Sequence, residues 1–276
     1  QAARVYSMFW RPSTQKGHGN VFLILGFLLF SFWQLPLVLP GHPGVSMCSR
    51  AGDDDDDVTH QRRAVLWDID GTLVDSTDLA WSSTNLVLKQ NGFPGVSSEE
   101  YKEATGLTTP KRLALHATKD MNAEIGIKLA EEFDQHYVQL VSPTTVPLFP
   151  GLQELLEDLS KDGILLGALS NACGAYVRAV LSCHGWADAF RTHLGADDVT
   201  EAKPAPGGLL KCCDLLGVTP SQVCYVGDSP GDGKAAKAAG LYSVGVRWGG
   251  AAEADLLANF DKVVGTAEEL RNALAD

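Results

Sequence analysis

From Ala64 to Trp67 four apolar residues run without a break, and the chain then turns polar at Asp68-Ile69-Asp70-Gly71-Thr72. A strand covered on both faces reads this way, as a continuous hydrophobic run rather than an alternation. The same design recurs at Ile164–Leu169 before Ser170-Asn171, and at Val223–Val226 before Gly227-Asp228. Apolar runs at 192–194, 242–246 and 262–264 predict three further strands. Between these runs the spacing is helical at 151–161, 175–183, 207–216, 232–239 and 267–275. Strands alternating with helices predict an α/β fold with a doubly wound parallel sheet. The interval 75–146 predicts helices only. One, through Leu79, Leu86 and Val87, ends at Asn91-Gly92; short ones cover 99–105 and 110–117. A longer one over 123–140 carries Ile127, Ala130, Phe133 and Tyr137 on one face. The expected organisation is a core of 64–74 and 147–276 with an all-helical domain, 75–146, inserted.

Residues 1–63 do not follow this pattern. Residues 1–20 form a tail and 21–40 a hydrophobic segment; 41–63 is Gly/Pro-rich, then acidic, then basic, as linkers are. Residues 21–39 are nearly all apolar and follow Arg4, Arg11 and Lys16. Three readings stand: a cleaved signal peptide, a plastid-type leader, or a single membrane anchor, which Pro36 and Pro40 weaken. A fourth removes the segment from the mature protein, with Met47 as its start. The six cysteines show no metal-ligand spacing, and buried free thiols favour a reducing compartment, cytoplasm or plastid.

The formal charge, 22 − 34 = −12, argues against a nucleic-acid partner held through its phosphates. The seven histidines show no ligand spacing, and His116 and His136 read as packing or surface residues.

Candidate chemistry lies at the strand ends. Asp68 and Asp70 share one side of an extended chain, with Ile69 turned away. Two clustered carboxylates need a cation or a shared proton, so a hard-metal site and an acid/base pair both fit. Ser170 and Asn171 suit helix capping as well as phosphate contact. Lys203 precedes Pro204 in a loop that stiffens its position, and Asp232 suits the first turn of a helix. Lys111 and Arg112 put a basic pair at a helix start, where the dipole does not favour it.

Asp68-Ile69-Asp70-Gly71-Thr72-Leu73-Val74-Asp75-Ser76 resembles the first motif of the haloacid dehalogenase-like hydrolases, in the phosphoglycolate phosphatase-like branch. The resemblance runs from about Ala64 to the C-terminus. It implies a Rossmann-like core and makes the helical interval a cap. Ser170 matches the second motif, a hydroxyl on phosphate, with Asn171 beside it. Lys203 matches the third, and Asp228 with Asp232 the fourth. The implied reaction is Mg²⁺-dependent hydrolysis of a small phosphorylated metabolite. Asp68 is its nucleophile, Asp70 its general acid and base, and Asp68, Asp70 (by its main-chain carbonyl) and Asp228 the metal ligands, with Asp232 in an outer-shell or secondary metal role. The loop before the helix that carries Lys111 and Arg112 faces the substrate's leaving group in this family, so one of the two is expected to touch it. A phosphosugar mutase shares these motifs, and a membrane-tethered, non-catalytic phosphate-binding protein is the reading from a different class. Product analysis and a phosphate-release assay separate the three. The substrate and the oligomeric state are not legible in the sequence.

Overall fold

The computed structural model describes residues 62–275, so the hydrophobic segment 21–39 and nearly all of the acidic linker lie outside the described residues. Six parallel strands form one sheet: β1 (Ala64–Trp67), β2 (Leu165–Leu169), β3 (Phe190–Leu194), β4 (Val223–Gly227), β5 (Tyr242–Val246) and β6 (Lys262–Val264). Their order is β3-β2-β1-β4-β5-β6. The chain winds outward from β1 in one direction and then in the other, which opens a crevice beyond the carboxyl ends of β1 and β4.

Alternation along β1 feeds two cores, one on each face of the sheet. Val65 and Trp67 join one cluster with Cys224, Val226, Tyr176 and Leu155. Ala64 and Leu66 face the other, with Tyr225, Leu209, Cys212 and Ala236. Helices α5 (Leu152–Lys161), α6 (Gly174–Cys183) and α10 (Ala267–Ala275) contribute to the first cluster; α7 (Gly207–Leu216) and α8 (Pro230–Ala239) contribute to the second. The cysteines described carry free thiols, and Cys212, Cys213 and Cys224 are buried. A further helix, α9 (Glu253–Asn259), lies where the sequence pattern predicts none. It is seven residues long and buries only Leu256, so it shows almost no periodicity.

Between β1 and α5 the chain is helical: α1 (Thr77–Gln90), α2 (Ser98–Glu103), α3 (Thr109–Thr118) and α4 (Ile125–Gln139). Helices α1, α3 and α4 pack on one another around Val87, Leu113, Leu129 and Phe133. The two ends of this insertion are paired. Asp75 N–H donates to Pro147 O at 2.9 Å and Phe149 N–H to Leu73 O at 3.1 Å. Among the described residues no helix is long and apolar enough to cross a membrane.

Candidate active site

Register brings the polar strand ends together. Trp67 pairs with Ala168 on one side and with Val226 on the other. Asp68, Ser170 and Asp228 therefore leave three adjacent strands at one edge of the sheet. The turn that follows needs Gly71, whose φ of +77° is left-handed, and a Cβ there would fall on the Asp228 carboxylate. All three residues line a cavity of about 550 Å³ that extends to Tyr101, Arg112, Phe133 and Tyr137 of the insertion.

Lys203 is the hub. Its Nζ lies 2.7 Å from Asp68 Oδ1 and 2.7 Å from Asp232 Oδ1, and donates to Tyr225 Oη at 2.9 Å and Leu169 O at 3.1 Å. Asn171 grips the same residue by its backbone: Lys203 N–H donates to Asn171 Oδ1, and Asn171 Nδ2 donates to Lys203 O, both at 3.0 Å. The Asn171 amide therefore holds Lys203 in place, and it also reaches Gly106 O of the insertion at 3.4 Å.

Asp232 is buried and fully engaged. Oδ1 meets Lys203 and accepts from the Tyr225 hydroxyl at 2.8 Å; Oδ2 accepts from Ser229 N–H at 3.0 Å and from its hydroxyl at 2.5 Å. The helix-start and site readings of Asp232 thus coexist, because it also closes a capping box with Ser229. Asp70 turns its carboxylate elsewhere. Oδ1 accepts from Ser76 Oγ at 2.6 Å and Tyr176 Oη at 2.7 Å, while Oδ2 accepts from Ser170 Oγ at 3.3 Å. Tyr137 of α4 donates in turn to Tyr176 at 3.2 Å.

Negative charge outweighs positive here. Burial pushes Asp68 well above the ordinary carboxylate range, and Asp232 adds to this, with Lys203 opposing. Asp228 rises to about 7, from burial first and then from Asp232, although it accepts from Gly250 N–H at 3.0 Å. Burial would raise Asp232 as well, but Lys203 and the hydroxyl donors outweigh it and hold it low. Lys203 would be pushed down by burial, yet Asp232 and Asp68 hold it above its usual value.

One carboxylate oxygen each from Asp68, Asp228 and Asp232 lies within 4.8 Å of the other two. Because Asp232 is filled by protein donors, Asp68 and Asp228 are the carboxylates left to a cation. Oxygen donors short of positive charge suit a hard divalent ion. A raised carboxyl also costs stability in a definite pH window. Between about pH 4 and pH 7 the unfolded chain ionises at Asp228 while the folded chain holds the proton, so the folded state loses ground as pH rises. In metal-free protein, Asp228→Asn is therefore expected to gain stability over wild type across that window, by a few kcal/mol at about 1.4 kcal/mol per unit. Urea titrations at pH 4.5 and pH 7.5 measure it; an equal difference at both would show that Asp228 is not strained by its neighbours.

Lys111 and Arg112 are neighbours in sequence but not in surroundings. Lys111 is exposed and lies outside the cavity lining, whereas Arg112 is buried and lines it.

A family model for haloacid dehalogenase-like hydrolases matches residues 65–246. The chain belongs to this family. Among similar proteins, a phosphoglycolate phosphatase of Xanthomonas campestris pv. campestris (strain 8004) is 33% identical over 187 residues, 68% of this chain and 84% of that protein. One from Xylella fastidiosa (strain 9a5c) is 32% identical over 68% of this chain and 81% of its own. A solved structure from Bacteroides fragilis, described as haloacid dehalogenase-like, superposes with a TM-score of 0.70 at 29% identity, covering 76% of this chain and all of that one. The chain is thus a haloacid dehalogenase-like enzyme, a hydrolase similar to phosphoglycolate phosphatases. Sequence reasoning missed Ser76 and Tyr176, which hold the Asp70 carboxylate, and Tyr225, which bonds Lys203 and Asp232. Both tyrosines sit within apolar runs and read as core. Only Ser76, polar at the end of the first motif, carried a visible signal.

Proposed function

We propose that this protein is a Mg²⁺-dependent phosphatase that hydrolyses small phosphomonoesters through an aspartyl-phosphate on Asp68. One observation carries the reading: Asp68, Ser170, Lys203 and Asp228 converge on one cavity, and Lys203 engages only one oxygen of Asp68. The other oxygen is left to attack phosphorus in line. Ser170 and Lys203 offer a hydroxyl and a buried ammonium to phosphate oxygens, with Asn171 fixing the lysine. Asp70 protonates the leaving oxygen and then takes a proton from the attacking water. Its hydrogen bonds to Ser76 and Tyr176 hold it at the cavity wall. Mg²⁺ would be held by the carboxylates of Asp68 and Asp228 and the main-chain carbonyl of Asp70, and supplies stabilisation of negative charge on phosphate oxygens. The helical insertion acts as the cap that shields this chemistry from bulk water. Similarity to phosphoglycolate phosphatases supports a small, anionic substrate.

A panel of phosphomonoesters, with and without Mg²⁺, tests the reading. Free phosphate is expected with Mg²⁺ and loss of release on chelation, while release unaffected by chelation would overturn the metal dependence. A rearranged ester in place of phosphate would move the chain to the mutases.

A further inference from the structure

We infer that Trp248, with Gly249 and Gly250, positions the oxygen donors of the cation site by clamping the two segments that supply them. The inference rests on the metal-dependent reading of that site. It adds a third loop, residues 247–252 between β5 and α9, which brings no carboxylate of its own.

Strand register fixes the donors only up to the last rung, where Asp68 N–H donates to Val226 O at 2.9 Å. The Asp70 carbonyl and the Asp228 carboxylate lie beyond it, one on the turn that leaves β1 and the other just past the end of β4. Within that turn Thr72, Leu73 and Val74 return their N–H groups to Ile69 O, and Gly71 donates to Val74 O. The Thr72 carbonyl takes no part in these bonds; it accepts from Trp248 Nε1 at 3.0 Å. Thr72 is buried, where a carbonyl needs a partner.

Asp228 is held by the same loop. Gly250 N–H donates to its Oδ2 at 3.0 Å, which fixes the rotation of the carboxylate about its last bond. Gly249 packs so closely that a Cβ there would fall on Asp228 Oδ2 and Cβ. Gly71, on the turn that Trp248 holds, approaches the same carboxylate as tightly. Three consecutive residues thus touch both segments that carry the donors.

The clamp is itself anchored. Arg247 N–H donates to Val264 O of β6 at 2.9 Å, and the Trp248 ring packs on Phe149 with centroids 6.1 Å apart. Gly250 lines the cavity but Trp248 does not, so Trp248 reaches the site only through the turn it holds. Packing alone would need only its rings. The indole N–H, its one polar group, is engaged by the turn that carries Asp70. Mg²⁺ demands near-ideal octahedral geometry and so tolerates little displacement of its donors. Groups that orient such donors without touching the ion therefore govern affinity.

The test reads cation binding without turnover. Mn²⁺ shares the preference of Mg²⁺ for octahedral oxygen donors. It is titrated into the full chain and its variants while the electron paramagnetic resonance signal of the free ion is followed, with Mg²⁺ as competitor. Trp248→Phe keeps a ring against Phe149 and removes the N–H. It is expected to weaken Mn²⁺ and Mg²⁺ binding by roughly 10- to 100-fold. Gly249→Ala forces the Asp228 carboxylate aside and should weaken binding at least as much. Urea midpoints of the same proteins in chelator separate positioning from folding. In phosphate release, Trp248→Phe should need correspondingly more Mg²⁺ for half-maximal rate, yet approach the wild-type kcat at saturation. Cation affinity unchanged in Trp248→Phe, whatever its urea midpoint, would overturn the clamp and leave the metal-dependent reading standing. Wild type that binds no Mn²⁺ and releases phosphate despite chelation would overturn the metal-dependent reading, and the clamp with it.

Discussion

Asp68→Asn is expected to lower phosphate release by at least roughly 10⁴-fold, as removal of a catalytic nucleophile does. The same variant should melt higher than wild type when no metal is added. The two effects have one origin. Asp68 is buried beside Asp232 and Asp228 with a single lysine to share, so its carboxyl is held well above its ordinary value. A raised carboxyl costs the folded state stability above the unfolded group's pKa, near 4, and the cost grows as pH rises. The neutral amide removes that cost, is nearly isosteric, and still offers Lys203 an oxygen. Its gain in melting temperature should therefore be larger at pH 8 than at pH 5. Phosphate release and thermal melts on the same preparations measure both halves. Residual activity near wild type would end the covalent mechanism, and a lower melting temperature at pH 8 would show that the carboxylate is not strained.

Lys203→Met should have the largest effect on stability, a loss of about 3–5 kcal/mol, because it strands buried charges that have no second cation. Four contacts disappear together: Asp68, Asp232, Tyr225 and the carbonyl of Leu169. Asp232 would be left with its Ser229 and Tyr225 donors but no positive neighbour. Adding Asp232→Asn to the lysine variant should recover part of the loss, since residues in contact do not contribute additively. Urea midpoints for wild type, the two single variants and the double variant complete the cycle. Strict additivity would show that the pair is not the source of the loss.

The strand ends were legible because each is a short apolar run that stops at a polar residue, and the run and the stop are both local signals. Asp68, Ser170 and Asp228 could therefore be placed without knowing which strands are neighbours. Lys203 needed the family resemblance, since its loop has no period of its own, and only the fold shows that its ammonium reaches the end of β1. What stayed hidden depended on tertiary contact. Tyr176 and Tyr225 are apolar to a pattern reader, yet each uses its one hydroxyl on a site carboxylate. Lys111 and Arg112 could not be separated because adjacent helical positions differ by about 100° in direction. Which of them enters the cavity is set by how α3 packs on α4. Helix α9 escaped for a simpler reason: seven residues with one buried side chain leave no stripe to detect.

The paired ends of the helical insertion have a bearing on how such a chain can change over generations. Val74 bridges Leu148, and the strands that enter and leave are tied by the Asp75–Pro147 and Phe149–Leu73 hydrogen bonds. The sheet therefore meets the insertion at two chain crossings that sit side by side. A loop closed by its own frame can lengthen, shorten or be exchanged with little entropic penalty to the frame, because closure cost grows only slowly with length. Of the buried side chains discussed, Asp68, Lys203, Asp228 and Asp232 belong to the frame, and Arg112 belongs to the loop. On the function proposed above, the reacting groups lie on the frame, and the loop can be revised over generations while the frame stands unaltered.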